Sequence, residues 1–119
     1  MIKRIIFVFL LAISSNAFAS GYLVPNGSGV EIQKIHAHPN GAITLWVDAS
    51  KLENPDGCNR MHKVHIKATE GYQTLVSMVM SAYVSGKKIG FWSTGCEVIP
   101  FWGASPTTSP VVNNIWITN

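Results

Sequence analysis

Three patterns in the sequence predict an α+β protein that is mainly β. Short alternations of apolar and polar residues recur, the clearest setting Ile43, Leu45 and Val47 against Thr44, Trp46 and Asp48. Turn-forming clusters such as Pro39-Asn40-Gly41 and Asn54-Pro55-Asp56-Gly57 punctuate them. A single segment, Thr69 to Gly86, changes to the helical period.

Taken in order, Val30 to Ala37 reads as a first strand and Ile43 to Asp48 as its hairpin partner, with Asn40 and Gly41 in the reversal. Ala49 to Arg60 is a polar loop, and His62 to Ala68 is a third strand with Val64 and Ile66 on one side. The helix follows. Tyr72, Leu75, Val76, Val79, Met80 and Tyr83 form one apolar stripe expected to lie against the sheet, and Gly86 ends it ahead of Lys87 and Lys88. Lys88 to Ser93 is a fourth strand, Val98 to Trp102 a short one, and Val111 to Thr118 the last. This order suits an antiparallel sheet curled around one helix: an OB-like five-stranded barrel, or a roll, with the helix between strands 3 and 4.

Residues 1–19 have a different character. Lys3 and Arg4 precede an apolar run from Ile5 to Ile13, and Ala17-Phe18-Ala19 supplies a small-residue exit, the three parts of a secretory signal peptide. The expected domain is therefore residues 20–119, working in the periplasm or outside the cell. No later segment has the roughly 20 apolar residues that span a bilayer. Cys58 and Cys96, the only two cysteines, both fall in the exported part, where an oxidising compartment favours one disulfide between them.

Charge narrows the partners. Lys3 and Arg4 account for two of the formal +3, which leaves residues 20–119 at +1. A nucleic-acid binder needs a concentrated basic face, and Arg60, Lys63 and Lys67 around one strand read as an ordinary solvated surface. Nucleic acid is not expected as a partner.

Catalytic chemistry finds little foothold. Glu31, Asp48, Glu53, Asp56, Glu70 and Glu97 form no paired motif, and there is no nucleophile elbow, phosphate-binding loop or Ser-x-x-Lys signature. His36 and His38 share one strand face and are the weak candidates for a metal, while His62 and His65, three apart, point to opposite faces of a regular strand. A catalytic zinc site needs three protein ligands, and no third is assignable, so no metal or cofactor is expected. Trp46 and Trp92 lie opposite the apolar sets of their strands; with Thr44 and Asp48 they are the candidate ligand-binding residues. The contrary reading places the tryptophans, with Trp102 and Trp116, in a second cluster under loops. The helix carries no charge between Glu70 and Lys87, and Ser77, Ser81 and Ser85 on its second face are candidates for close approach of another copy.

The segment Tyr83-Val84-Ser85-Gly86-Lys87-Lys88-Ile89-Gly90-Phe91-Trp92, with the later Gly95-Cys96, resembles small exported bacterial proteins related to the B subunits of AB5 toxins of the pertussis-like and subtilase-cytotoxin type. The resemblance covers element order from Val30 to Ile117. It implies an OB fold, assembly into a pentameric ring and binding of cell-surface glycans. The expected function is a non-enzymatic exported binding module, glycan-binding like those subunits. The alternatives are a periplasmic inhibitor or stress-related protein that binds another protein, and a small metal-dependent enzyme.

Overall fold

The computed structural model describes residues 21–25, 27–99 and 107–119. Residues 1–19, expected to be a signal peptide, together with Trp102 and most of the short strand expected at Val98 to Trp102, lie outside the described residues. The strands are β1 (Gly21–Tyr22), β2 (Lys34–Ala37), β3 (Ile43–Trp46), β4 (Lys63–Ile66), β5 (Lys88–Val98) and β6 (Thr108–Thr118), with a 3-10 turn at Ala49–Lys51 and one helix, α1 (Tyr72–Ser85). They form one mixed sheet in the order β1-β5-β6-β4-β3-β2.

The hairpin of β2 and β3 has the expected reversal. The amide of His38 donates to the Ala42 carbonyl at 2.9 Å, and the Asn40 side chain accepts from the Ala42 amide at 3.0 Å. Lys34 then stands opposite Trp46 and His36 opposite Thr44. Strand β3 pairs antiparallel with β4, and the chain crosses through α1 to β5. The antiparallel return of β6 inserts between β5 and β4, so β6 runs parallel to β4 at His65 and Val111. The expectation of a purely antiparallel sheet is corrected by this pair: the helical crossover has already reversed the direction that β6 inherits.

Two further differences concern β5 and α1. Residues 94–97, expected to separate two strands, and Val98, expected to begin the second, continue β5 because irregularities between Trp92 and Ser93 and between Ser93 and Gly95 absorb the change of register. On α1, Val79 and Ala82 are fully buried and Leu75 and Val76 half-buried, whereas Met80 and Tyr83 are 44% and 46% exposed. The helix packs on β5 and β6 with its buried line displaced toward Ala82, whose small side chain lets the backbone approach. The apolar stripe is wider than the sheet surface available to cover it. Gly86 terminates α1 at φ +72°, where its amide reaches the Ala82 and Tyr83 carbonyls, a geometry glycine adopts without a Cβ penalty.

In its pairing order the sheet is open, with β1 and β2 at the edges, so the closed five-stranded barrel is not established by the ladder. It is strongly curled nonetheless. Val30 exchanges two 2.9 Å backbone hydrogen bonds with Ile89 of β5, and three residues later the Gln33 amide donates to the Trp46 carbonyl of β3 at 2.8 Å. Three extended residues reach only about 10 Å. The enclosed face holds Leu23, Val30, Leu45, Val47, Val64, Ile66, Ile89, Phe91 and Val112, with Val79 and Ala82 of α1. Alternation puts Thr44, Trp46, Lys63, His65 and Trp92 on the other face.

The loop before β4 is tied to β5 by the Cys58–Cys96 disulfide, whose Cα atoms are 5.5 Å apart. Among the described residues no helix is long and apolar enough to cross a membrane.

Candidate functional site

The outward face carries three separate groups of polar and aromatic side chains. The first is a row across three strands, His36 of β2, Thr44 of β3 and His65 of β4, joined by His38 just past β2. The Thr44 hydroxyl lies 2.7 Å from His38 Nε2 and 3.0 Å from His65 Nδ1, and all three residues are buried. His36 stacks on His38 at a ring separation of 4.7 Å, and His38 meets His65 edge-on at 5.7 Å. Burial pushes His65 down to about 4, aided by the neighbouring charge of His38, and burial followed by the charge of His36 lowers His38. Both effects favour neutral imidazoles. Thr44, a candidate for ligand contact from sequence, is instead the fully buried hydroxyl between two rings. The imidazoles of His36 and His38 lie against each other, and among the described residues no group of three or more His, Cys, Asp or Glu side chains is placed to hold a metal.

The second group centres on Trp46. Cross-strand register sets Lys34 on one side of it and Lys63 on the other, with their Nζ atoms 4.5 and 4.4 Å from the indole centroid. The His62 ring lies 5.5 Å away, so His62 and His65 join different groups. Asp48, two residues on, caps the 3-10 turn: its Oδ1 accepts from the Ser50 amide at 3.0 Å and the Ser50 hydroxyl at 2.7 Å. Those bonds, the hydroxyl's first, lower its pKa.

The third group surrounds Trp92, which β6 and β4 separate from Trp46 in the sheet. Tyr22 of β1 packs edge-to-face on Trp92 at 4.7 Å and on Trp116 of β6 at 5.7 Å. The Trp116 indole N–H donates to the Ser28 carbonyl at 2.9 Å, which fixes the ring. Gly90 stands opposite Trp116 in the β5 and β6 ladder, and a Cβ at Gly90 would overlap the indole. The absence of a side chain there lets Trp116 lie flat across β5. With Asn114 and Ile115, the three aromatic rings line an open cavity of about 360 Å³.

No family model, no curated protein and no solved structure matches this chain.

Sequence reasoning placed Trp46 and Trp92 in one candidate set, and the structure puts them in different places. It also missed Tyr22 and Asn114. The available signal was the spacing of Asn114 and Trp116, two apart and so on one face of a strand, with Gly90 two residues before Trp92 on another. Ser77, Ser81 and Ser85 are all exposed on α1. Ser81 and Ser85, with Met80, Val84, Lys87 and Ile117, line a wide groove in which Val84 is 81% exposed.

Proposed function

We propose that this protein is an exported, non-enzymatic glycan-binding module of OB-like architecture, and that Tyr22, Trp92 and Trp116 form the sugar site. The observation that carries the reading is the fixed aromatic cluster with the Asn114 amide at its rim. A pyranose has one face of C–H groups, which gains by covering an aromatic ring, and a girdle of hydroxyls, which needs amide partners. Rigid rings lose little entropy on binding. Export is supported by the basic, apolar and small-residue segments of residues 1–19 together with the Cys58–Cys96 bond.

The OB-like reading is supported by the three-stranded meander, the helix between β4 and β5, the parallel contact of β4 with β6, and the Val30 and Ile89 bridge that brings the first long segment against β5. In such a barrel the same chain segment serves both edges.

Glycan-array binding of residues 20–119 tests the sugar site. Neutral oligosaccharides are expected to be retained, and Gly90→Ala, which drives Trp116 from its seat at a cost of about 1–3 kcal/mol in stability, is expected to abolish retention. Trp92→Ala should do the same without the overlap. Absence of any retained glycan, or full retention by both variants, would overturn the reading.

Self-association through the Ser77, Ser81 and Ser85 face belongs to the same reading. It is supported by the uncharged helix surface and the exposed Met80 and Val84 beside it. Sedimentation at micromolar concentration is expected to show an oligomer that Ser81→Glu dissociates, because an unpaired charge in a closed contact costs several kcal/mol. A wild-type monomer would remove the ring, and an oligomer indifferent to Ser81→Glu would move the interface elsewhere.

A further inference from the structure

The cations around Trp46 have no role in the sugar site described above. Lys34 of β2 and Lys63 of β4 stand over one indole, His62 packs against the same ring, and Arg60 lies in the segment that leads into β4. Residues 20–119 carry a formal +1 in all and would carry −2 without Lys34, Lys63 and Arg60, so this concentration is local. Lys63 is only 8% exposed. Burial, then the charges of Arg60 and Lys34, hold its ammonium below the usual lysine range, and burial followed by Lys63 and Arg60 lowers His62 as well. Asp48, the acidic residue closest to Trp46 in sequence, accepts hydrogen bonds from Ser50 in its own turn.

We propose that the Lys34, Trp46, Lys63 and Arg60 surface is a second binding site, specific for sulfate or phosphate esters on an acidic glycan. The exposed Lys34 ammonium held on a rigid ring, with the nearly buried Lys63 ammonium adding positive potential beneath it and the Arg60 guanidinium on the segment entering β4, matches anionic substituents repeated along a saccharide. A guanidinium and the oxygens of such an ester form paired, charge-assisted hydrogen bonds. Single-stranded nucleic acid fits less well, because it needs an open aromatic face on which bases stack. Here lysines from the strands on both sides stand over the indole. The ring works as a spacer that fixes the two ammonium groups by cation–π attraction. The ligand's being a saccharide rests on the glycan-binding reading, but the residues are different, and the two fail separately.

The test is isothermal titration of residues 20–119 with a heparin-derived octasaccharide and with a neutral dextran oligosaccharide of equal length, at low and at physiological salt. Heparin binding is expected to weaken steeply with salt. The double change Lys34→Gln with Arg60→Gln is expected to weaken it about tenfold or more, whereas Lys67→Gln with Lys88→Gln, which removes the same charge elsewhere, should change it less than about twofold. Lys63 is left intact because it is buried. Trp92→Ala should leave heparin binding unchanged, and loss of neutral-glycan binding in that variant alone would speak only to the aromatic site. The proposal is overturned by absence of heparin binding at low salt, by equal losses in the two lysine and arginine variants, or by an oligodeoxynucleotide of equal charge binding more tightly than heparin.

Discussion

Replacing Cys58 and Cys96 together by serine is expected to lower the unfolding free energy by about 4 kcal/mol, the loop-closure value for their 38-residue separation. The loop around Cys58 has few other anchors. Asn54 braces it from within, donating to the Cys58 carbonyl at 2.9 Å and accepting from the Cys58 amide at 2.8 Å. It reaches the sheet through the Ser93 hydroxyl, which donates to Asp56 at 2.6 Å, and through the Asn59 and Arg60 amides, which donate to Thr108. Those contacts hold the loop in the folded state but do nothing to restrict the unfolded chain. Urea denaturation of the oxidised protein and the double serine variant reads the difference from the midpoint and slope. A loss under about 1 kcal/mol would mean that the unfolded chain is already restricted near this loop.

Acidification is expected to cost about 3 kcal/mol between pH 7 and pH 4 through His65. Its pKa is 6.5 when unfolded and about 4 in the folded protein, so the unfolded chain binds the proton first as pH falls. The stability is therefore fully present above about 6.5 and is lost progressively as pH falls toward about 4. His38 and His62 are lowered too and act in the same direction. Protonating His65 places a charge beside the Thr44 hydroxyl and the His38 ring, in a site where His65 is 5% exposed. Urea midpoints across this range measure the slope, and His65→Gln should flatten most of it. A slope unchanged in His65→Gln would place the acid sensitivity on other groups.

Features read from sequence hold where they depend on residues close together in the chain. The hairpin register of β2 and β3 follows from Asn40 and Gly41 together with the strict alternation of Ile43, Leu45 and Val47. The end of α1 follows from Gly86, because few other residues take that backbone conformation without cost. The Cys58–Cys96 bond follows from there being only two cysteines to pair. The face of α1 was less accessible: periodicity names an apolar stripe, but which part is covered depends on how much sheet lies beneath, and Met80 and Tyr83 remain outside.

Residue type and local spacing by themselves determined a mainly β chain with one helix, its turns, its disulfide and the alternation that separates core from surface. Only the tertiary structure decided that β6 lies between β5 and β4, and this insertion is what sets Trp116 over Gly90 and beside Tyr22, residues far apart in sequence. It likewise decided that Thr44 is a buried link between histidines and that Trp46 is flanked by lysines. Each of these is a property of strand register across the sheet, which arises from the packing of the whole core and leaves no signature in any single stretch of chain.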